Sequence, residues 1–218
     1  NYFWDSGNHG ARAMKKNVTV KETEIVHSGN SSVRLASQFV GLGSIGKFAA
    51  GNIFVGKYLK TDMATTSGQI GWGRSWTLKP TAMKVWVKYH PERVKASEAK
   101  NGDKLKEGDI DQGIIYIALL DDTKKEINGE QWPIAINNSP KVMQLFSKDD
   151  ANVLGYGEHV FTADTEGDGL VEITIPVTYT KEGTPANIAI VASASRYGDY
   201  FQGGQGSYMI LDDIELLY

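Results

Sequence analysis

From Val171 to Tyr179 the chain alternates: Val171, Ile173, Ile175, Val177 and Tyr179 fall on one phase, Glu172, Thr174, Pro176 and Thr178 on the other. Residues two apart share a face of an extended chain, so this segment reads as a strand with one buried face. Pro176 has no amide hydrogen to give a ladder and predicts an edge or a bulge. Ala82–Tyr89 repeats the pattern, with Met83, Val85, Val87 and Tyr89 set against Lys84, Trp86 and Lys88. Gly113–Leu120 and Asn187–Ser195 are apolar on both phases, as expected of central sandwich strands. Val18–Val26, Ser32–Ser37, Asn52–Leu59 and Ser207–Tyr218 complete the larger strands. No window sustains an apolar i, i+3, i+4 pattern; the nearest, Pro91–Leu105, is polar, contains Asn101-Gly102 and reads as a long loop with one helical turn. These patterns predict an all-β chain, residues 1–218 forming a single domain. Roughly nine to eleven strands would make a two-sheet antiparallel β-sandwich of jelly-roll type, with loops at both ends.

The chain has no cysteine, which removes disulfide scaffolds, thiolate zinc sites and cysteine nucleophiles. A net charge of −3 without basic blocks argues against a nucleic-acid partner. No apolar run approaches the roughly 18–20 residues of a membrane-spanning helix.

Several motifs are weaker than they look. Gly41-Leu42-Gly43-Ser44-Ile45-Gly46 matches a dinucleotide fingerprint as a string, but Gly51 and Gly56 follow where a phosphate-binding helix is needed. Asp164–Gly169 resembles the start of a calcium loop, yet the twelfth position is Ile175 rather than glutamate, and a turn ahead of the next strand is expected. The four histidines form no HxH or HExxH pair, and no GxSxG occurs. Carboxylates at Asp109, Asp111, Asp121, Asp122, Glu158 and Asp199 are available for glycosidic chemistry, but spacing along the chain brings no two of them together.

Aromatic residues carry more. Gly71–Trp76 places Trp72 and Trp76 around Arg74 in a glycine-rich stretch, and Trp86 lies on the Lys84/Lys88 phase of its strand. Ser193–Ser207 contains Tyr197, Asp199, Tyr200, Phe201 and Gln202 among glycines, flat faces beside polar tips that suit sugar rings. Asp212 and Asp213 are adjacent on the closing strand, so only one can face inward. That one must be paired, hydrogen-bonded or metal-bound. Calcium suits carboxylates and carbonyls drawn from separate loops. A structural calcium is therefore expected from Asp212 and Asp213, with the turn at Ser28, Asn30 and Ser32 and a second carboxylate from Asp5.

Ala49–Tyr58, Lys79–Tyr89, Asp109–Asp121 and the C-terminal SASRYGDYFQGGQGSYMILDDIELLY resemble the PCMD family of carbohydrate-metabolism domains, the YGDYF-x-GG-x-GS element most specifically. The resemblance implies a jelly roll similar to carbohydrate-binding modules, in which a turn like Ser28–Ser32 and an aspartate like Asp212 often hold calcium. It also implies a bacterial cell-surface or periplasmic setting, as an outer-membrane lipoprotein whose leader and anchor are removed.

The expectation is a non-catalytic domain that binds a glycan or polysaccharide. Trp72, Trp76, Trp86, Tyr197, Tyr200 and Phe201 would stack on sugar rings, and Arg74, Asp199 and Gln202 would bond hydroxyls. The alternatives are a glycoside hydrolase using Asp199 with Asp111 or Glu158, and a structural adhesin-type domain whose aromatics only pack the sandwich ends.

Overall fold

The computed structural model describes residues 3–12, 15–42 and 45–218. Two antiparallel sheets pack face to face in a jelly-roll β-sandwich. The larger runs in the order Ile134–Asn137, Ser67–Trp72, Asn52–Asp62, Asn187–Ser193, Gly113–Leu120, Val153–Phe161, Thr178–Tyr179. Trp4–Ser6 pairs with Asn52–Asp62, and Arg74–Ser75 with Asn187–Ser193. The smaller sheet runs Val171–Pro176, Ala82–His90, Tyr208–Leu217, Ser32–Ala36, Thr19–Glu22.

The alternating strands deliver their expected faces. Met83, Val85, Val87 and Tyr89 are all but fully buried, and they meet Ile115, Ile117, Leu119 and Ile190 of the larger sheet between the layers. The segment read as one strand over Val171–Tyr179 is two. Val171–Pro176 edges the smaller sheet beside Ala82–His90, and Thr178–Tyr179 edges the larger beside Val153–Phe161. The chain crosses between sheets just after Pro176, whose missing amide cannot prolong the first ladder.

Ser67–Trp72 and Val153–Phe161 escaped the reading because glycines dilute their alternation: Gly68 and Gly71 in one, Gly155 and Gly157 in the other. The loop after Pro91 holds one short helix, Ala96–Ala99. Within the fingerprint-like string, Gln38–Leu42 pairs with Ile45–Ala49 as a β-hairpin, and Gly43 and Ser44 lie outside the described residues.

The larger sheet is apolar on both faces. Phe54, Ile114, Tyr116 and Val191 point away from the inter-sheet core and gather with Ile70, Trp72, Ile134 and Ile136 into a second buried cluster. Loops and the Gln38–Ala49 hairpin lie over this outer face.

Candidate functional site

That outer face holds a cavity of about 590 Å³, a size typical of small-ligand sites (~300–1,000 Å³). Its floor is sheet: Phe54 and Tyr58 from Asn52–Asp62, Ile70 and Trp72 from Ser67–Trp72, Ile114 and Tyr116 from Gly113–Leu120. Its walls come from the hairpin (Val40, Lys47, Phe48), the turn at Met63–Thr66, Asn138 and Pro140, and the turn carrying Arg196, Asp199 and Phe201.

The floor aromatics brace one another. Tyr116 stacks on Phe146 with centroids 5.4 Å apart and meets Trp72 edge-on at 6.3 Å, and Phe54 lies 6.0 Å from Trp72. Gly71 lets the indole of Trp132 lie on the backbone where a Cβ would collide with it. The wall turn is seated just as closely: a Cβ on Gly198 would run into the Ala50 methyl. Phe201 takes a left-handed backbone (φ 58°) that ends the short Gly198–Tyr200 helical turn.

Asp199 is the only carboxylate among the described residues that line the cavity. It has no hydrogen-bond or ion-pair partner among the described residues, and burial pushes its pKa up to about 6. Tyr116 beneath it is held far above the usual phenol range by burial, with Asp199 adding to the effect. Lys47 donates from Nζ to the Thr65 carbonyl (2.5 Å) and lies 4.0 Å over the Phe201 ring; burial lowers its pKa.

Of the nine residues expected to bind ligand, the fold brings Trp72, Asp199 and Phe201 to this cavity. The other six lie elsewhere. Trp76 packs on the inter-sheet core and lines a second cavity of about 730 Å³ with Trp4 and Ile214. Trp86 is on the outer face of the smaller sheet, covered by the His27 ring at 3.7 Å. Arg74 spans from the Gly56 carbonyl (2.8 Å) to the Trp132 ring. Tyr197 and Tyr200 pair edge to face outside the cavity, beside Arg196 and Lys104.

Gln202 is sealed: it accepts from the Lys104 amide and donates to the Ala99 and Leu105 carbonyls, tying two loops together. The sequence could not separate these roles, because the Ser193–Ser207 loop folds back and only alternate parts of it face the cavity. Phe54, Tyr58, Tyr116, Lys47 and Arg196 were not singled out. The signal for Phe54, Tyr58 and Tyr116 was the apolar outer phase of their strands, whereas Lys47 and Arg196, on a hairpin and a loop, had none.

Of the residues expected to hold calcium, Ser32, Asp212 and Asp213 line the second cavity together and Ser28 donates its amide to Asp212, while Asp5 lies apart with Tyr58 and His9. Asp5 accepts from the Tyr58 and Ser6 amides and contacts His9. Asp212 Oδ2 accepts from the His27 and Ser28 amides and Oδ1 from the Asp213 amide. These donors occupy most of the lone pairs a cation would need. Asp213 meets His27 Nδ1 at 2.7 Å, and the Ser32 hydroxyl donates to the Ile25 carbonyl. Among the described residues, no three His, Asp or Glu side chains converge in a way that could hold a metal. Asp212 fixes the turn that brings His27 onto Trp86.

The carboxylates proposed for hydrolysis are also apart in role. Asp111 is fully buried behind the cavity, accepting from the Ser195 hydroxyl (2.6 Å) and the Gly204 and Gln112 amides. Glu158 accepts from the Tyr156 hydroxyl. Neither lines the cavity with Asp199.

The family model described as "Putative carbohydrate metabolism domain" matches residues 1–217. The chain belongs to the PCMD family. Its resemblance in the Ser193–Tyr218 block thus extends over the whole chain, and it is a carbohydrate-related domain. No curated protein matches it. Among solved structures, this PCMD domain is similar to one described as a putative glycoside hydrolase from Bacteroides thetaiotaomicron, with a TM-score of 0.69 at 20% identity over 99% of this chain. It is also similar to one given the same description from Bacteroides vulgatus, with a TM-score of 0.68 at 19% identity over 98% of this chain. The chain spans 62% of the first of these proteins and 85% of the second. At such identities the likeness establishes the fold.

Proposed function

We propose that this PCMD domain binds a glycan in the cavity on the outer face of its larger sheet. One observation carries the reading: among the described residues, an aromatic-floored cavity of about 590 Å³ contains a single carboxylate, Asp199, with no hydrogen-bond or ion-pair partner. Aromatic planes meet the C–H faces of a sugar, and a partner-free carboxylate accepts from its hydroxyls. Phe201, Tyr58 and Trp72 are the stacking faces, with Asp199 the polar anchor.

The lone carboxylate supports binding over cleavage, since the common glycosidase mechanisms place two carboxyl groups about 5–9.5 Å apart across the bond. The open cavity beside Phe201 also favours a ligand site over purely structural packing of the aromatics.

Glycan-array screening followed by calorimetry tests the proposal. Phe201→Ala and Asp199→Asn are expected to abolish or weaken binding at least about tenfold, the cost of losing a stacking face or a charged acceptor. Trp86→Ala, on the opposite sheet, is expected to leave it unchanged. Binding lost in Trp86→Ala and kept in Phe201→Ala would overturn the assignment.

A further inference from the structure

Among the described residues two cations line the cavity, and neither has a carboxylate partner there. Lys47 enters from the hairpin, where its ammonium spends one of three donors on the Thr65 carbonyl and rests against the Phe201 ring. Arg196 lines the cavity from the turn that carries Phe201, its guanidinium bonded to the Gln112 side chain at 3.3 Å and 5.6 Å from the centre of the Tyr197 ring. No ion pair within 4 Å joins either of them to Asp199 or to any other described carboxylate. A half-buried ammonium pays for its lost hydration unless an anion or several acceptors replace the water. The Lys47 amine shows this cost, burial lowering its pKa.

Among the described residues, the charged groups lining the cavity are therefore two cations and one anion that form no ion pair with one another. Resting on the glycan reading above, we propose that the cavity selects an acidic sugar, one bearing a carboxylate or a sulfate. The anionic group lies between Lys47 and Arg196, which supply charge-assisted hydrogen bonds. Hydroxyls on the same ring donate to Asp199, and the ring lies against the aromatic floor. Lys47 ties the hairpin to the Met63–Thr66 turn, two walls of the cavity, so anion binding there also fixes the wall.

The test starts from an array carrying neutral, uronate-containing and sulfated oligosaccharides. The best signal is then compared by calorimetry with its carboxyl-reduced or desulfated counterpart, which distinguishes the two acidic groups. The acidic form is expected to bind at least about tenfold more tightly than its neutral counterpart. Lys47→Met, which keeps the apolar stem, and Arg196→Gln, at an exposed position, should each remove most of that preference while near-ultraviolet circular dichroism stays native. Signals confined to neutral glycans and lost in Phe201→Ala would sink this inference and leave the glycan site standing. Acidic glycans bound equally by wild type and both variants would also overturn it. No signal from any glycan would overturn both readings.

Discussion

Replacing Asp199 with Asn should stabilise the protein, and by an amount that depends on pH in a defined way. The carboxyl sits against an aromatic cavity without a partner, and burial raises its pKa from an ordinary 3.8 to about 6. Between these values the folded state holds a proton that the unfolded state has released. Stability therefore falls as pH rises from about 4 to about 6, and the full cost is present at pH 7. A shift of about two units corresponds to roughly 3 kcal/mol at 1.36 kcal/mol per unit. That is an upper bound, because the side chain keeps some contact with solvent.

Asparagine is neutral at every pH and carries no such penalty. Urea denaturation of both proteins at pH 4, 5, 6 and 7 measures the difference. The variant should exceed wild type by about 1–3 kcal/mol at pH 7, and the gap should close toward pH 4. Asp111, whose pKa burial also raises to about 6, titrates in both proteins and cancels from the comparison. Equal stabilities at pH 7, or a gap independent of pH, would refute the claim that Asp199 is a desolvated carboxylate without a partner.

Gln202→Leu should cost about 1–3 kcal/mol in urea denaturation, since it strands the buried Leu105 carbonyl and the partly buried Lys104 amide and Ala99 carbonyl. Gly198→Ala should lower stability by about 1–3 kcal/mol through overpacking against Ala50, and shift the Phe201 wall enough to weaken ligand binding. A calcium chelator should leave the melting temperature unchanged, because the Asp212 oxygens are engaged by amide donors; a fall of several degrees on chelation would contradict that. Asp212→Ala should free the His27–Ser28 turn and change Trp86 fluorescence by loosening the ring stack, at little cost to ligand binding.

How far the sequence could be read depends on what each pattern encodes. Period two encodes which face a strand buries, so the buried faces of Ala82–His90 and Val171–Pro176 were legible, though the second was read as running on to Tyr179. It does not encode which sheet a strand joins, and the crossing after Pro176 was not legible. Gly113–Leu120 and Asn187–Ser193 hold the more useful lesson. Apolar residues on both phases were read as the mark of a central strand, yet in a two-layer sandwich even a central strand has an outer face open to water. An apolar outer face there requires a second cover. In this protein that cover is the Gln38–Ala49 hairpin with the loops carrying Met63–Thr66, Asn138–Phe146 and Arg196–Phe201. A cover built from loops cannot pack at the density of sheet on sheet, and the space left beneath it is the cavity floored by Phe54, Trp72, Ile114 and Tyr116. The conspicuous aromatics of the C-terminal loop therefore pointed to the cavity only in part: of that loop's rings only Phe201 enters it, and the floor belongs to strands whose outer phase was too apolar for an open sheet.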